Sequence, residues 1–172
     1  MRAALILAAL LAGSALSAEP TSTPSPSQPA SFIGTAINVA DLDRAVRFYT
    51  EALGLKVVAT LPLGTRSETI LNFPGPDLSR PDLPGSASPQ PAILLMHDHG
   101  AAAPKSITHG NGFSRLVIRV ADLAALAARL TALGYPHGEI RDASQGYSIM
   151  MLTDPDGFRL EIVQQKRPQA GS

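Results

Sequence analysis

The chain has 172 residues, no cysteine, 45% hydrophobic residues and a formal net charge of zero. The length favours one domain with enough apolar material for a packed core. Missing cysteine excludes disulfides, thiolate metal sites, a cysteine nucleophile and an N-terminal lipidated cysteine, and balanced charge gives no electrostatic case for nucleic acid or an acidic membrane surface as partner.

Arg2 is followed by an unbroken apolar stretch, Ala3 to Leu11, and then by small residues from Ala12 to Ala18. This is the layout of a secretory signal peptide over residues 1–18. The apolar run is short against the ~20 residues of a spanning helix. We therefore expect a secreted or periplasmic protein with no stable membrane insertion after cleavage. Residues 19–31 repeat proline and serine. Proline removes backbone donors and fixes φ, and nothing here can bury a core, so this stretch reads as a flexible tether. The domain is expected over 32–166, with a short tail at 167–172.

Inside the domain the sequence repeats itself. Ile37-Asn38-Val39-Ala40-Asp41-Leu42 recurs as Ile118-Arg119-Val120-Ala121-Asp122-Leu123. Each copy runs into a helical pattern ending on Ala52-Leu53-Gly54 or Ala132-Leu133-Gly134, and the first interval is one residue longer. Thr35, Ile37 and Val39 alternate with Gly34, Ala36 and Asn38; Leu116, Ile118 and Val120 alternate with Arg115, Val117 and Arg119. Both stretches predict strands with two unlike faces. Asp41 and Asp122 stand where an N-cap accepts free amides. Leu42, Ala45, Val46, Tyr49 and Leu53 make one helix face, and Leu123, Leu126, Ala127, Leu130 and Leu133 the other. Gly54 and Gly134 stop the helices.

Strands are predicted after the first helix at Leu55–Leu61, Glu68–Phe73 and Ala92–His97. After the second they are predicted near Glu139–Asp142, at Tyr147–Thr153 and at Phe158–Gln164. Asp154-Pro155-Asp156-Gly157 is a tight-turn signal. Pro74–Gln90 reads as a long loop inside module one (about 32–97), and Asp98–Gly112 links it to module two (about 113–164). Each module is βαβββ, an α+β fold.

The stretch from Ile37 to Tyr49 with Leu53-Gly54-Leu55, and Asp154-Pro155-Asp156-Gly157-Phe158-Arg159-Leu160-Glu161, resemble the opening strand–helix and closing hairpin of the vicinal-oxygen-chelate superfamily of glyoxalases, bleomycin-resistance proteins and dioxygenases. The resemblance covers about residues 31–166. It implies a curved mixed sheet from two modules around a cleft, and in glyoxalase-like members a divalent metal held from the first and last strands of each module. Laid on this chain, that pattern falls on Gly34, about Leu95, Arg115 and Glu161. Glycine and leucine offer no lone pair and arginine is a fixed cation, so only Glu161 can ligate. About three protein ligands are needed.

Without that metal, three functions fit. The first is a cofactor-free protein that binds a small, anionic molecule through Arg115 and Arg119, whose planar guanidinium suits carboxylate or phosphate, with Asn38 adding a neutral hydrogen bond. The second is a lyase or dioxygenase with catalytic Glu161 and a displaced divalent metal on His97, His99 and Glu161, the histidines sharing Leu95's face. Glu161 paired with Arg115 or Arg119 would be a poor base. The third is a protein-interaction module with a degenerate cleft, marked by full internal ion pairing. Export ranks a glutathione-dependent lyase low, and a homodimer is compatible with the resemblance. Of Met150 and Met151, one is expected in the core and the other at the cleft.

Overall fold

The sequence repeat is a repeat of topology. The computed structural model describes residues 32–74 and 91–166. The expected signal peptide, tether, C-terminal tail and nearly all of the Pro74–Gln90 loop lie outside the described residues. Module one runs β1 (Gly34–Val39), α1 (Leu42–Arg47), β2 (Lys56–Leu63), β3 (Arg66–Asn72) and β4 (Ala92–Asp98); module two runs β5 (Leu116–Arg119), α2 (Leu123–Ala132), β6 (Arg141–Ala143), β7 (Tyr147–Thr153) and β8 (Arg159–Gln165). Each module forms a four-stranded mixed sheet, in the orders β1-β4-β3-β2 and β5-β8-β7-β6. In each, the first strand pairs in parallel with the last and the other pairings are antiparallel. β1 and β5 are therefore both edge strands.

The helices begin and end for the reasons read in the sequence. The Asp41 carboxylate accepts from the Arg44 amide, and Asp122 from Ala125, each at 2.9 Å. Gly54 and Gly134 take φ of 79° and 77°, a region where a side chain is strained. The extra residue of the first copy has a structural consequence. α1 passes directly into a π-helical turn, Phe48–Ala52, and such turns arise when one residue is inserted into a helix. The wider turn places Phe48 in the core beside Tyr49. Leu133 departs from the expected helix face: α2 ends at Ala132, so Leu133 is the cap residue and stays 42% exposed.

One core serves both modules. Ile37, Val39, Phe48, Tyr49 and Leu95 join Ile118, Leu126, Leu130, Met150, Leu160 and Ile162 in a single buried cluster. The Phe48 ring stands edge-on to Tyr49 and to Tyr135 of module two. The turn between β7 and β8 then clasps α1. Tyr49 donates its hydroxyl hydrogen to Asp154 Oδ2 (2.8 Å), and Asp156 Oδ1 accepts from Arg44 Nη2 (2.8 Å) and from the Ala40 amide (3.2 Å). No helix among the described residues is long and apolar enough to cross a membrane.

Candidate functional site: the arginine edge of β5

Each sheet buries one face in the shared core and carries its other face on the opposite side. In module one the second face holds Gly34, Ala36 and Asn38 on β1, register-paired with Ala92, Leu94 and Met96 on β4. Leu95 is not there. It pairs with Ile37 and is fully buried in the core. Leu94 takes the position expected of Leu95, because side chains alternate and a one-residue offset changes the face. A Cβ built on Gly34 would lie 2.6 Å from Leu94 Cδ1 and 2.6 Å from the Ala92 carbonyl oxygen. The space of a side chain at position 34 is thus filled, partly by backbone.

In module two the second face holds Val117 and Arg119 of β5, with Arg115 just before it, beside Glu161 and Val163 of β8. Arg115 Nε forms an ion pair with Glu161 Oε2, and Arg115 Nη1 donates to Ser114 Oγ at 3.1 Å. The superfamily's divalent metal does not fit these residues. Position 34 has no side chain and no room for one, Leu94 has no lone pair, and the remaining carboxylate is held by a guanidinium.

His97 and His99 do not join Glu161. His97 shares Leu95's face of β4 and His99 follows just beyond the strand's end, whereas Glu161 lies on the outer face of the other sheet. The displaced cluster expected from the sequence is therefore not assembled. Among the described residues no group of three or more His, Asp or Glu side chains is placed to hold a metal. Asn38 is also separated from the arginines. Its Oδ1 accepts from Arg66 Nη2 at 2.8 Å, and it lines a cavity of about 400 Å³ with Met96, Asp98 and Ile107. The reason is its place at the far end of β1 from Thr35, the β1 residue that meets the arginine cavity.

That second cavity, of about 340 Å³, lies where the edges of β1 and β5 approach. Phe32, Phe73, Phe113 and Ile93 form apolar walls, and Arg115 and Arg119 supply charge. Arg119 makes no ion pair among the described residues, so its guanidinium is open to a ligand. Phe32 and Val117 are strongly exposed at its rim. Met150 is in the core and Met151 pairs with Glu161 on the outer face.

A model of the glyoxalase/bleomycin resistance protein/dioxygenase superfamily matches residues 32–162. The chain belongs to that superfamily. Among relatives of this superfamily member, a lactoylglutathione lyase of Arabidopsis thaliana is 28% identical over 139 residues, 77% of this chain and 44% of that protein. One from Pseudomonas putida is 27% identical over 148 residues, 77% of this chain and 84% of that protein. The chain thus spans under half the length of the plant relative. Among solved structures, the trypanothione-dependent glyoxalase I of Leishmania major is 25% identical with a TM-score of 0.59, covering 80% of this chain and 88% of that one. TnmS3, an antibiotic binding protein from Streptomyces sp. CB03234, has a TM-score of 0.58 at 22% identity, covering 80% and 98%. It shares the fold.

Three groups escaped the sequence reading. Asp154 and Asp156 carry a turn signal, but nothing local announces that their carboxylates reach Tyr49 and Arg44. His109, given no role, places Nε2 2.7 Å from the Asp156 carbonyl oxygen and stacks edge-on against Phe158. The walls Phe32, Phe73 and Phe113 come from three separate loop or strand-end positions with no shared pattern.

Proposed function

We propose that this superfamily member is an exported protein that binds a small anionic molecule with an apolar or aromatic body in the Arg115/Arg119 cavity, without the superfamily's metal. The observation that carries this is an Arg119 with no ion pair among the described residues, beside three phenylalanines in a cavity of about 340 Å³. That volume falls at the small end of the ~300–1,000 Å³ usual for ligand sites, and apolar walls with few charged groups are their usual lining. Arg115 and Arg119 are four residues apart, about 13 Å along an extended strand. Arg115 is already held by the Glu161 carboxylate, whereas Arg119 makes no ion pair among the described residues, so we assign the ligand's carboxylate to Arg119. Export rests on Arg2, the apolar run and the small residues that follow.

A lyase reading draws on the names of the relatives, but it requires a metal centre that Gly34, Leu94 and Arg115 do not supply. An interaction module needs a fully paired cleft, and Arg119 is unpaired among the described residues. A homodimer that covered the exposed Phe32 and Val117 is compatible with ligand binding. The test is a titration followed by amide NMR, using phenylacetate against phenylacetamide. We expect saturable shifts around Phe113 and Arg119 with the carboxylate and at least tenfold weaker binding of the amide. Equal binding of the two removes the anion site.

A further inference from the structure

The linker between the modules carries a side chain with chemistry of its own. The chain has three asparagines, Asn38, Asn72 and Asn111, and Asn111 alone is followed by glycine. An asparagine closes a five-membered ring when the amide nitrogen of the next residue attacks its side-chain Cγ. The attack needs a nitrogen free of hydrogen bonds, no Cβ crowding it, and a backbone able to turn. Asn38 and Asn72 do not meet these needs. They lie in β1 and β3, where the ladder holds the backbone, and they precede Val39 and Phe73. The Asn38 carboxamide is held by Arg66, and Asn72 is buried.

Asn111 meets all three. Asn111 and Gly112 are exposed and belong to no helix or strand. Among the described residues the Gly112 amide donates to no acceptor, and a Cβ on Gly112 would meet nothing within 4 Å. Gly110, on the other side, is equally open. The turn between β7 and β8 holds a contrasting case. Asp156-Gly157 can close the same ring with loss of water. There the Gly157 amide donates to the Asp154 carbonyl at 3.0 Å, and Asp156 Oδ1 accepts from Arg44 and Ala40. The fold locks one such pair and leaves the other open.

We infer that Asn111 is a modification site that converts without an enzyme to aspartate and isoaspartate. The Gly112 nitrogen bonds to Asn111 Cγ as it gives up its proton, the Cγ–Nδ2 bond breaks, and ammonia leaves. Water then opens the succinimide. Cleavage at Cγ gives aspartate, and cleavage at the main-chain carbonyl carbon gives isoaspartate. Water is consumed, ammonia is released, and nothing is oxidised. The position gives the product a consequence. The segment is pinned at both ends on Phe158, by the His109 ring at 4.6 Å between centroids and by the Phe113 ring at 5.8 Å. Isoaspartate adds a carbon to the main chain between these pins, so one of them must shift. His109 also donates to the Asp156 carbonyl at 2.7 Å, so Phe113 is the end that gives. Phe113 is a wall of the arginine cavity, and conversion weakens anion binding there; that last consequence alone rests on the proposed anion site.

The test is a peptide map of the full chain after incubation at neutral and at mildly alkaline pH. The tryptic peptide Ser106–Arg115 contains Asn111. We expect it to gain the mass of OH in place of NH2, to split into two chromatographic species, and to accept a methyl group from an isoaspartyl methyltransferase. The rate should rise with pH and match that of the isolated peptide, because the fold offers no protection. Asn111→Gln and Gly112→Ala should each slow it at least tenfold. Position 112 has room for a methyl group, so circular dichroism of the second variant should match the wild type. Peptides carrying Asn38, Asn72 and Asp156 should stay unchanged. The inference is overturned if Ser106–Arg115 keeps its mass, if the folded chain reacts at least tenfold slower than the peptide, or if Asn38 or Asn72 reacts as fast. The separated isoaspartyl form should move the Phe113 ring resonances, whereas Asn111→Asp, which adds charge without the extra carbon, should not. Equal shifts in the two overturn the displaced wall.

Discussion

Asp154→Ala should destabilise the domain by about 3 kcal/mol. Asp154 is 5% exposed and is the hub of the clasp between the modules. Its Oδ1 accepts from the amides of Asp156 (3.0 Å) and Phe158 (2.8 Å), and its Oδ2 from the Tyr49 hydroxyl. Truncation leaves three buried donors unpaired, each costing about 1–3 kcal/mol, partly offset because a buried charge is also removed. Asp154→Asn keeps an oxygen for the two amides and should cost under about 1 kcal/mol. Urea denaturation with unchanged m-value is the measurement.

The same residue sets a pH dependence. Burial raises the Asp154 carboxyl above its ordinary value, against the opposing pull of the donors from Tyr49, Phe158 and Asp156. Burial likewise pushes the Tyr49 hydroxyl well above its ordinary value, with the adjacent Asp154 charge adding to it. Between the ordinary and raised values of Asp154, the folded chain holds a proton that the unfolded chain has released. Stability from this group is therefore fully present below the ordinary carboxylate value and falls as pH rises through the raised one. Asp154→Asn should remove that slope.

Arg119→Ala should weaken carboxylate binding by about 10- to 100-fold with little change in stability. A hydrogen bond to a charged group contributes about 1.5–3 kcal/mol, and about 1.4 kcal/mol is tenfold in affinity. Arg119 is exposed on the outer face of β5, so its removal opens no cavity in the core. Arg115→Ala should do less to binding, because Glu161 already occupies its Nε. The loss with Arg119→Ala should shrink as salt rises, since a solvent-facing charge is screened over about 10 Å at 0.1 M. An affinity unchanged by Arg119→Ala would move the ligand elsewhere.

Much of the fold was legible because local signals and long-range pairing agree. The two Asp N-caps, the two glycine stops and the alternation on β1 and β5 each specify one element, and their repetition specifies two like modules. The π-turn was visible only as a one-residue difference in spacing; Phe48 moved into the core because the wider turn re-aimed it. The site was less legible because a single residue decides a strand's face. Placing Leu95 instead of Leu94 at the outer face also turned His97 and His99 toward a cleft they do not enter. Asn38 and Arg119 occupy the same position in the two repeats, yet they line different cavities. Residues such as Asp154 and Tyr49 meet across 105 positions of chain, and no local pattern encodes that contact.

The most direct measurement compares phenylacetate affinity in the wild type and in Glu161→Gln. If the site is an anion site, Glu161 neutralises Arg115 beside the cavity and so weakens the positive field that draws the anion to Arg119. Removing its charge should then raise affinity about three- to tenfold, in line with about 1 kcal/mol for a partly exposed pair. An affinity that falls in Glu161→Gln, or a wild-type affinity that appears only with added divalent metal, would contradict the account and return Glu161 to the role of a ligand.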